Sequence, residues 1–87
     1  MIFVIDNEKD YSDNTIYFVD ASPAFEQWFD DVFVPWCNRV YAYGTPQIIF
    51  KAEALEWRRP EDMCTPVGFW DHYSGWSDDD VIPGPPS

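Results

Sequence analysis

Positive charge is scarce in this chain. Five Lys and Arg stand against 16 Asp and Glu, which leaves a formal net charge of −11 over 87 residues. A compact surface of that sign repels phosphate backbones and anionic headgroups, so direct binding to nucleic acid or to a membrane is not expected. Cysteine is nearly absent as well. Cys37 and Cys64 are the whole complement, fewer than a disulfide scaffold carries, and both are expected as reduced thiols in a cytoplasmic protein. Histidine occurs once, at His72, and it has no Cys or His neighbour at the spacing a zinc site uses. The four glycines form no phosphate-cradling loop. No apolar run approaches the roughly 18 residues of a spanning helix, and MIFVIDNEKD has no basic stretch of the kind that opens a signal peptide.

Aromatic side chains are what the chain has in excess. They make up 20% of its residues, and hydrophobic residues of all kinds 46%. Acidic disordered tails lack both, so the charge is expected on the outside of a folded domain. A 10.2 kDa chain makes one domain that buries only about 60 to 65% of its unfolded surface. Aromatics fill so small a core efficiently, at roughly 150–250 Å² each.

The front half is patterned. Met1–Ile5 is a short apolar run suited to a strand buried on both faces. Asp6–Asn14 is polar and reads as a hairpin loop, and Thr15–Asp20 as a second, antiparallel strand. Ser22-Pro23 is an N-cap followed by proline at the first helical position. Phe25, Trp28, Phe29, Val32, Phe33 and Trp36 then recur at spacings of three and four, an apolar helix face opposite Glu26, Asp30 and Asp31. Pro35 is expected to end or kink that helix near Phe33 or Val34, with a second short turn over Trp36–Tyr41. Gly44-Thr45-Pro46 reads as a turn, Gln47–Ala52 as a third strand, and Glu53–Arg58 as one helical turn closed by Pro60.

The back is irregular. TPVGFWDHYSGWSDDDVIPGPPS mixes Gly, Pro, Ser and Asp with Phe69, Trp70, Tyr73 and Trp76, and no period fits it. Either these aromatics lie across the domain as a lid on its core, or the segment orders on a partner. The expected fold is α+β. A small antiparallel sheet of about three strands carries one main helix, with an irregular aromatic-rich C-terminal arm. Residues 1–66 form the compact domain and 67–87 the aromatic and acidic arm, whose last residues, PGPPS, are expected to be loose.

The acids do not assemble into recognisable chemistry. Asp6, Glu8, Asp10 and Asp13 alternate as in a calcium loop, but Tyr11 stands where such a loop needs glycine and Tyr17 where it needs its closing Glu. No local signature joins a Cys to His72 as a nucleophile pair. A carboxylate pair for sugar hydrolysis needs a cleft that a domain this small rarely supplies. No catalytic residue, cofactor or metal is therefore expected, and the chain reads as a binding protein rather than an enzyme.

As a surface, the same acids make sense. Alternate carboxylates on an extended segment stand about 6.6 Å apart, and carboxylates one helical turn apart about 5.4 to 6 Å. Phosphates along a DNA strand repeat at a comparable spacing, about 7 Å. Glu26 with Asp30, the hairpin-loop acids and the run Asp78-Asp79-Asp80 offer such rows, which a basic groove would find attractive. Interface hot spots are more often Trp, Tyr or Arg. Trp70 and Trp76 are the candidate anchors, with Asp71 and Asp78, Asp79 and Asp80 as their rim. Asp30 and Asp31 extend the helix surface. Solubility alone is the competing account of the charge.

The hairpin ending in TIYFVDA and the SPAFEQWF helix resemble the β-β-α start of many small phage-encoded proteins, over roughly Met1–Phe50. The small, acidic character is similar to that of anti-CRISPR inhibitors and DNA-mimic anti-restriction proteins of phages. The resemblance implies a stoichiometric inhibitor in the host bacterial cytoplasm. Its target would be a basic nucleic-acid-binding protein or ribonucleoprotein complex of CRISPR-Cas type, and a polymerase or repair enzyme fits equally well. A phage structural or assembly protein using the aromatic arm for subunit contacts is the alternative. Oligomeric state is left open.

Overall fold

A computed structural model describes residues 1–8, 14–40, 46–56, 63–73 and 80–86. Ile2–Glu8 (β1) and Asn14–Asp20 (β2) pair antiparallel, with Phe3 opposite Val19 and Ile5 opposite Tyr17. Gln47–Ala52 (β3) pairs antiparallel with the other side of β1, so the strand order is β2-β1-β3. The unbroken apolar run at the start of the chain is thereby explained. A central strand with both faces covered has no solvent side, and Ile2, Phe3, Val4 and Ile5 are all buried. β1 continues through Asp6, Asn7 and Glu8, so the hairpin loop is shorter than its polar composition suggests. Ladder hydrogen bonds are made by the backbone and do not require apolar side chains. A register shift in β3, opposite Val4 and Ile5, marks a bulge where Ile49 and Phe50 stand exposed.

One helical layer covers one face of this sheet. Pro23–Trp28 (α1) starts after Ser22, as the Ser-Pro pair predicts, although the Ser22 hydroxyl makes no capping bond. Phe29–Phe33 winds as a π turn, and Val34–Val40 (α2) continues from it. Pro35 thus neither ends the helix nor starts a separate turn at Trp36, and Tyr41 lies outside the described residues. Within the π turn, the Val34 N–H donates to the Phe29 carbonyl, five residues back. Such a wide turn frees the carbonyl that the proline ring would otherwise strike.

The π turn also sets the core. Phe25, Phe29, Phe33 and Cys37 follow one another at intervals of four, and none is more than 2% exposed. Residues four apart on an ideal α-helix drift about 40° per step, so such a row would wind off the sheet. Five residues at about 4.4 per turn cancel most of that drift. The row packs with Phe3, Ile5, Val19, Trp28 and Trp36 into the main core. A smaller cluster of Ile2, Val4 and Phe18 lies on the opposite face of the sheet, covered by Leu55 and Met63.

Residues 53–56 form a bend and a turn rather than the expected helical turn, and 57–60 lie outside the described residues. At the outer edge of β2, the Cys64 N–H donates to the Phe18 carbonyl at 2.8 Å, and the Asp20 N–H donates to the Cys64 carbonyl at 3.2 Å. The next segment differs from the irregular arm expected from residue 67. Pro66–Asp71 (α3) is a short helix whose N-cap, Thr65, accepts the Gly68 N–H on its hydroxyl at 3.0 Å. Phe69 and Tyr73 are buried in the main core. Of the two readings left open for these aromatics, the described ones take the packed one. Residues 80–86 then run without helix or strand, and Ile82 packs against the core.

Candidate functional site

The exposed side of the long helix carries the acids that its periodicity assigns to it. Asp30 and Asp31 are both exposed, while Glu26 is half-buried. Glu26 accepts from the Lys51 ammonium of β3 through both carboxylate oxygens, at 2.7 and 3.1 Å. This ion pair bridges the gap between helix and edge strand. One cleft of about 380 Å³ is lined by Phe29, Val34, Pro46 and Ile48. Another, of about 360 Å³, is lined by Met1, Phe3, Pro23 and Gln27. Glu26, Asp30 and Lys51 line both. The expected pairing of Glu26 with Asp30 on one side of the helix is therefore present, with Glu26 already neutralised.

The second cation with a described side chain is also committed. Arg39 donates to Asp80 through Nε at 2.7 Å and through Nη2 at 3.3 Å. That contact holds the Asp80 carboxyl below the usual carboxylate range, chiefly through the hydrogen bond, and raises the Arg39 guanidinium by the same bond. Asp80 is thus tied down within the chain rather than presented as part of an open acidic run. Asp78, Asp79 and Trp76 lie outside the described residues, as do Asp10 and Asp13 of the hairpin loop. In contrast, Asp30, Asp31, Glu53, Glu56 and Asp71 are exposed and make no ion pair among the described residues.

Trp70, expected as an anchor, is half-buried. Its ring meets Trp36 and Trp28 edge-on, with centroids 5.2 and 5.6 Å away. Trp28 and Trp36 themselves donate their indole N–H groups to the carbonyls of Pro83 and Asp80, at 2.9 and 2.7 Å. Of the terminal residues expected to be loose, Pro83 is therefore held on the helix, and Ser87 lies outside the described residues. Sequence periodicity assigns these indoles to the core but says nothing about their N–H groups. The signal was a general one, that a buried Trp N–H takes an acceptor.

The thiols are poor candidates for chemistry. Both are free. Burial pushes the Cys37 thiol up to about 12, and burial raises Cys64 as well. His72 is exposed, with its ring 4.9 Å from that of Tyr17. Alkylation of the native protein should reach half-buried Cys64 first and leave Cys37 protected by at least about 100-fold until denaturant is added. Mass mapping of the modified peptides checks this, and equal labelling would mean that the helix opens readily. Among the described residues, no three His, Cys, Asp or Glu side chains gather closely enough to hold a metal ion. Nor is any described helix long and apolar enough to cross a membrane. No protein family, curated protein or solved structure matches the chain.

Proposed function

We propose that this chain is a stoichiometric protein inhibitor. It presents the acidic outer surface of its long helix to the basic nucleic-acid-binding groove of a partner, in part as a mimic of phosphate charge. The observation that carries the reading is a charge imbalance at one place. Asp30 and Asp31 are exposed and make no ion pair among the described residues, whereas Lys51 and Arg39 are bound to acids of the same chain. A surface left with unneutralised carboxylates on a rigid helix steers toward cationic grooves and offers them charge-assisted bonds at contact. A CRISPR-Cas type defence complex in the bacterial cytoplasm has that groove, and the chain acts on it by occupancy, without catalysis. Of the other rows, Asp10, Asp13, Asp78 and Asp79 lie outside the described residues, while Asp6 and Glu8 belong to β1.

The assembly reading relies on the aromatic arm, and its three described aromatics are spent internally, Phe69 and Tyr73 in the core and Trp70 against Trp28 and Trp36. Salt distinguishes the two readings. Partner captured from bacterial lysate on the immobilised full chain should elute steeply as ionic strength rises through about 0.1 to 1 M, where the screening length falls from about 10 to 3 Å. Release of a nucleic-acid-binding complex over that range supports the inhibitor. A salt-resistant partner without a basic groove would transfer the function to assembly.

A further inference from the structure

The C-terminal segment crosses the helix in a manner that resembles a bound peptide more than a folded tail. Two indole donors lie on the helix eight residues apart, Trp28 and Trp36, and their acceptors are backbone carbonyls three residues apart, Asp80 and Pro83. Carbonyls three apart share one side of a polyproline II strand, which repeats every three residues over about 9 Å and makes no internal hydrogen bonds. The segment has the matching composition, with Pro83, Pro85 and Pro86 around Gly84. No described residue has a positive φ. The backbone at Gly84 passes so near the third indole that a Cβ there would stand 3.4 Å from Trp70 Cδ1. Ile82 faces the core while Val81 is 82% exposed, so the segment is read on one side only. Arg39, in a chain with few cations, holds the acid at the head of the segment by two hydrogen bonds.

We propose that Trp28, Trp36, Trp70 and Arg39 form a binding site for an extended proline-rich peptide with an acidic residue three positions before a proline. Residues 80–86 occupy it in cis, and a partner's segment of the same chemistry takes their place. Aromatic-lined grooves of this kind recognise main-chain carbonyls and preformed polyproline geometry, so they accept any segment that presents both. Charge adds selectivity, because Arg39 accepts an acid at the first position and repels a base. The cis segment competes as a tethered ligand at an effective concentration on the order of millimolar. The site is separate from the acidic helix surface, and its test does not depend on that reading.

The probe is the capped peptide DVIPGPPS, titrated into the full chain while the indole N–H resonances of Trp28 and Trp36 are followed. In the Asp80→Lys chain the clamp to Arg39 is lost and both resonances should move. Added peptide should return them toward their original positions at a concentration on the order of millimolar. A peptide with Lys at the first position should have no effect. The Arg39→Asp chain should reverse the preference, taking the Lys peptide and refusing the Asp one. Resonances that stay put in both variants, or that move and ignore about 5 mM peptide, would make the segment a fixed seam and overturn the proposal. Dimerisation of the variant chains in place of peptide uptake would give the groove to a second copy and overturn the assignment to a partner.

Discussion

Truncating Phe33 to alanine should cost about 3–5 kcal/mol. The residue is fully buried at the junction of every helical element. Its ring stacks on Trp28 at 5.2 Å, meets Tyr73 edge-on at 4.9 Å, and lies 5.3 Å from Phe69. The first of these neighbours belongs to α1 and the others to α3 and its end, so the alanine cavity would open between layers rather than within one. Rigid aromatic walls relax poorly into such a space, which favours the upper part of the range. A domain of 87 residues has about 4–13 kcal/mol in total, so one side chain carries a large share. Urea unfolding followed by Trp fluorescence reads the effect. Leucine at the same position should retain a cooperative transition, and an alanine variant losing less than about 1 kcal/mol would mean that the neighbouring rings collapse into the gap.

Reversing Asp30 and Asp31 to Lys should have the opposite profile, with binding lost and folding kept. Each substitution adds two units of charge, so the chain moves from −11 to −7. Both side chains are exposed and neither is ion-paired among the described residues, so the stability change should stay within about 0.5 kcal/mol per site. Against a basic groove the pair now repels instead of attracting, and affinity should fall by at least about 100-fold, mainly through slower association at low salt. Binding kinetics on the captured partner, beside a thermal melt of the variant, separate the two effects. Affinity unchanged with the fold intact would remove this helix from the interface and with it the proposed mode of inhibition.

The strands were legible because each has one dominant cause. Gln47–Ala52 matches the observed strand residue for residue, and Ile2–Ile5 is apolar without interruption because its strand is central. The helix start at Pro23 was equally clear. Its course past Pro35 was not, since a proline stops a helix by clashing with the turn behind it, and here the turn behind it is wide. The interval of four in Phe25, Phe29, Phe33 and Cys37 was the available sign, masked by Trp28, Val32 and Trp36, which also fit a spacing of three and four. The third helix was missed although Thr65-Pro66 repeats the signal of Ser22-Pro23. The segment is too short for periodicity to register, and its glycine reads as a breaker. Of the candidate site, the exposure of Asp30 and Asp31 followed from the helix period. The neutralisation of Glu26 by Lys51 and of Asp80 by Arg39 did not, because residues 25 and 41 positions apart meet only through the tertiary fold.

The wide turn has a consequence for how this helix tolerates changes in length. A π turn is an α-helix with one residue too many, taken up as a local swelling rather than passed on as a rotation of everything downstream. In most amphipathic helices, removing a single residue turns the remainder by about 100° and buries its polar side. Here a deletion within Phe29–Phe33 at one of the two adjacent outward acids would convert the interval of four into one of three. The helix would close into regular α geometry, with Trp36 and Cys37 still in the core. The neighbouring pair Asp30 and Asp31 thus marks the position at which the chain holds a spare residue, and the two exposed acids fall within the stretch that holds the slack in the helix.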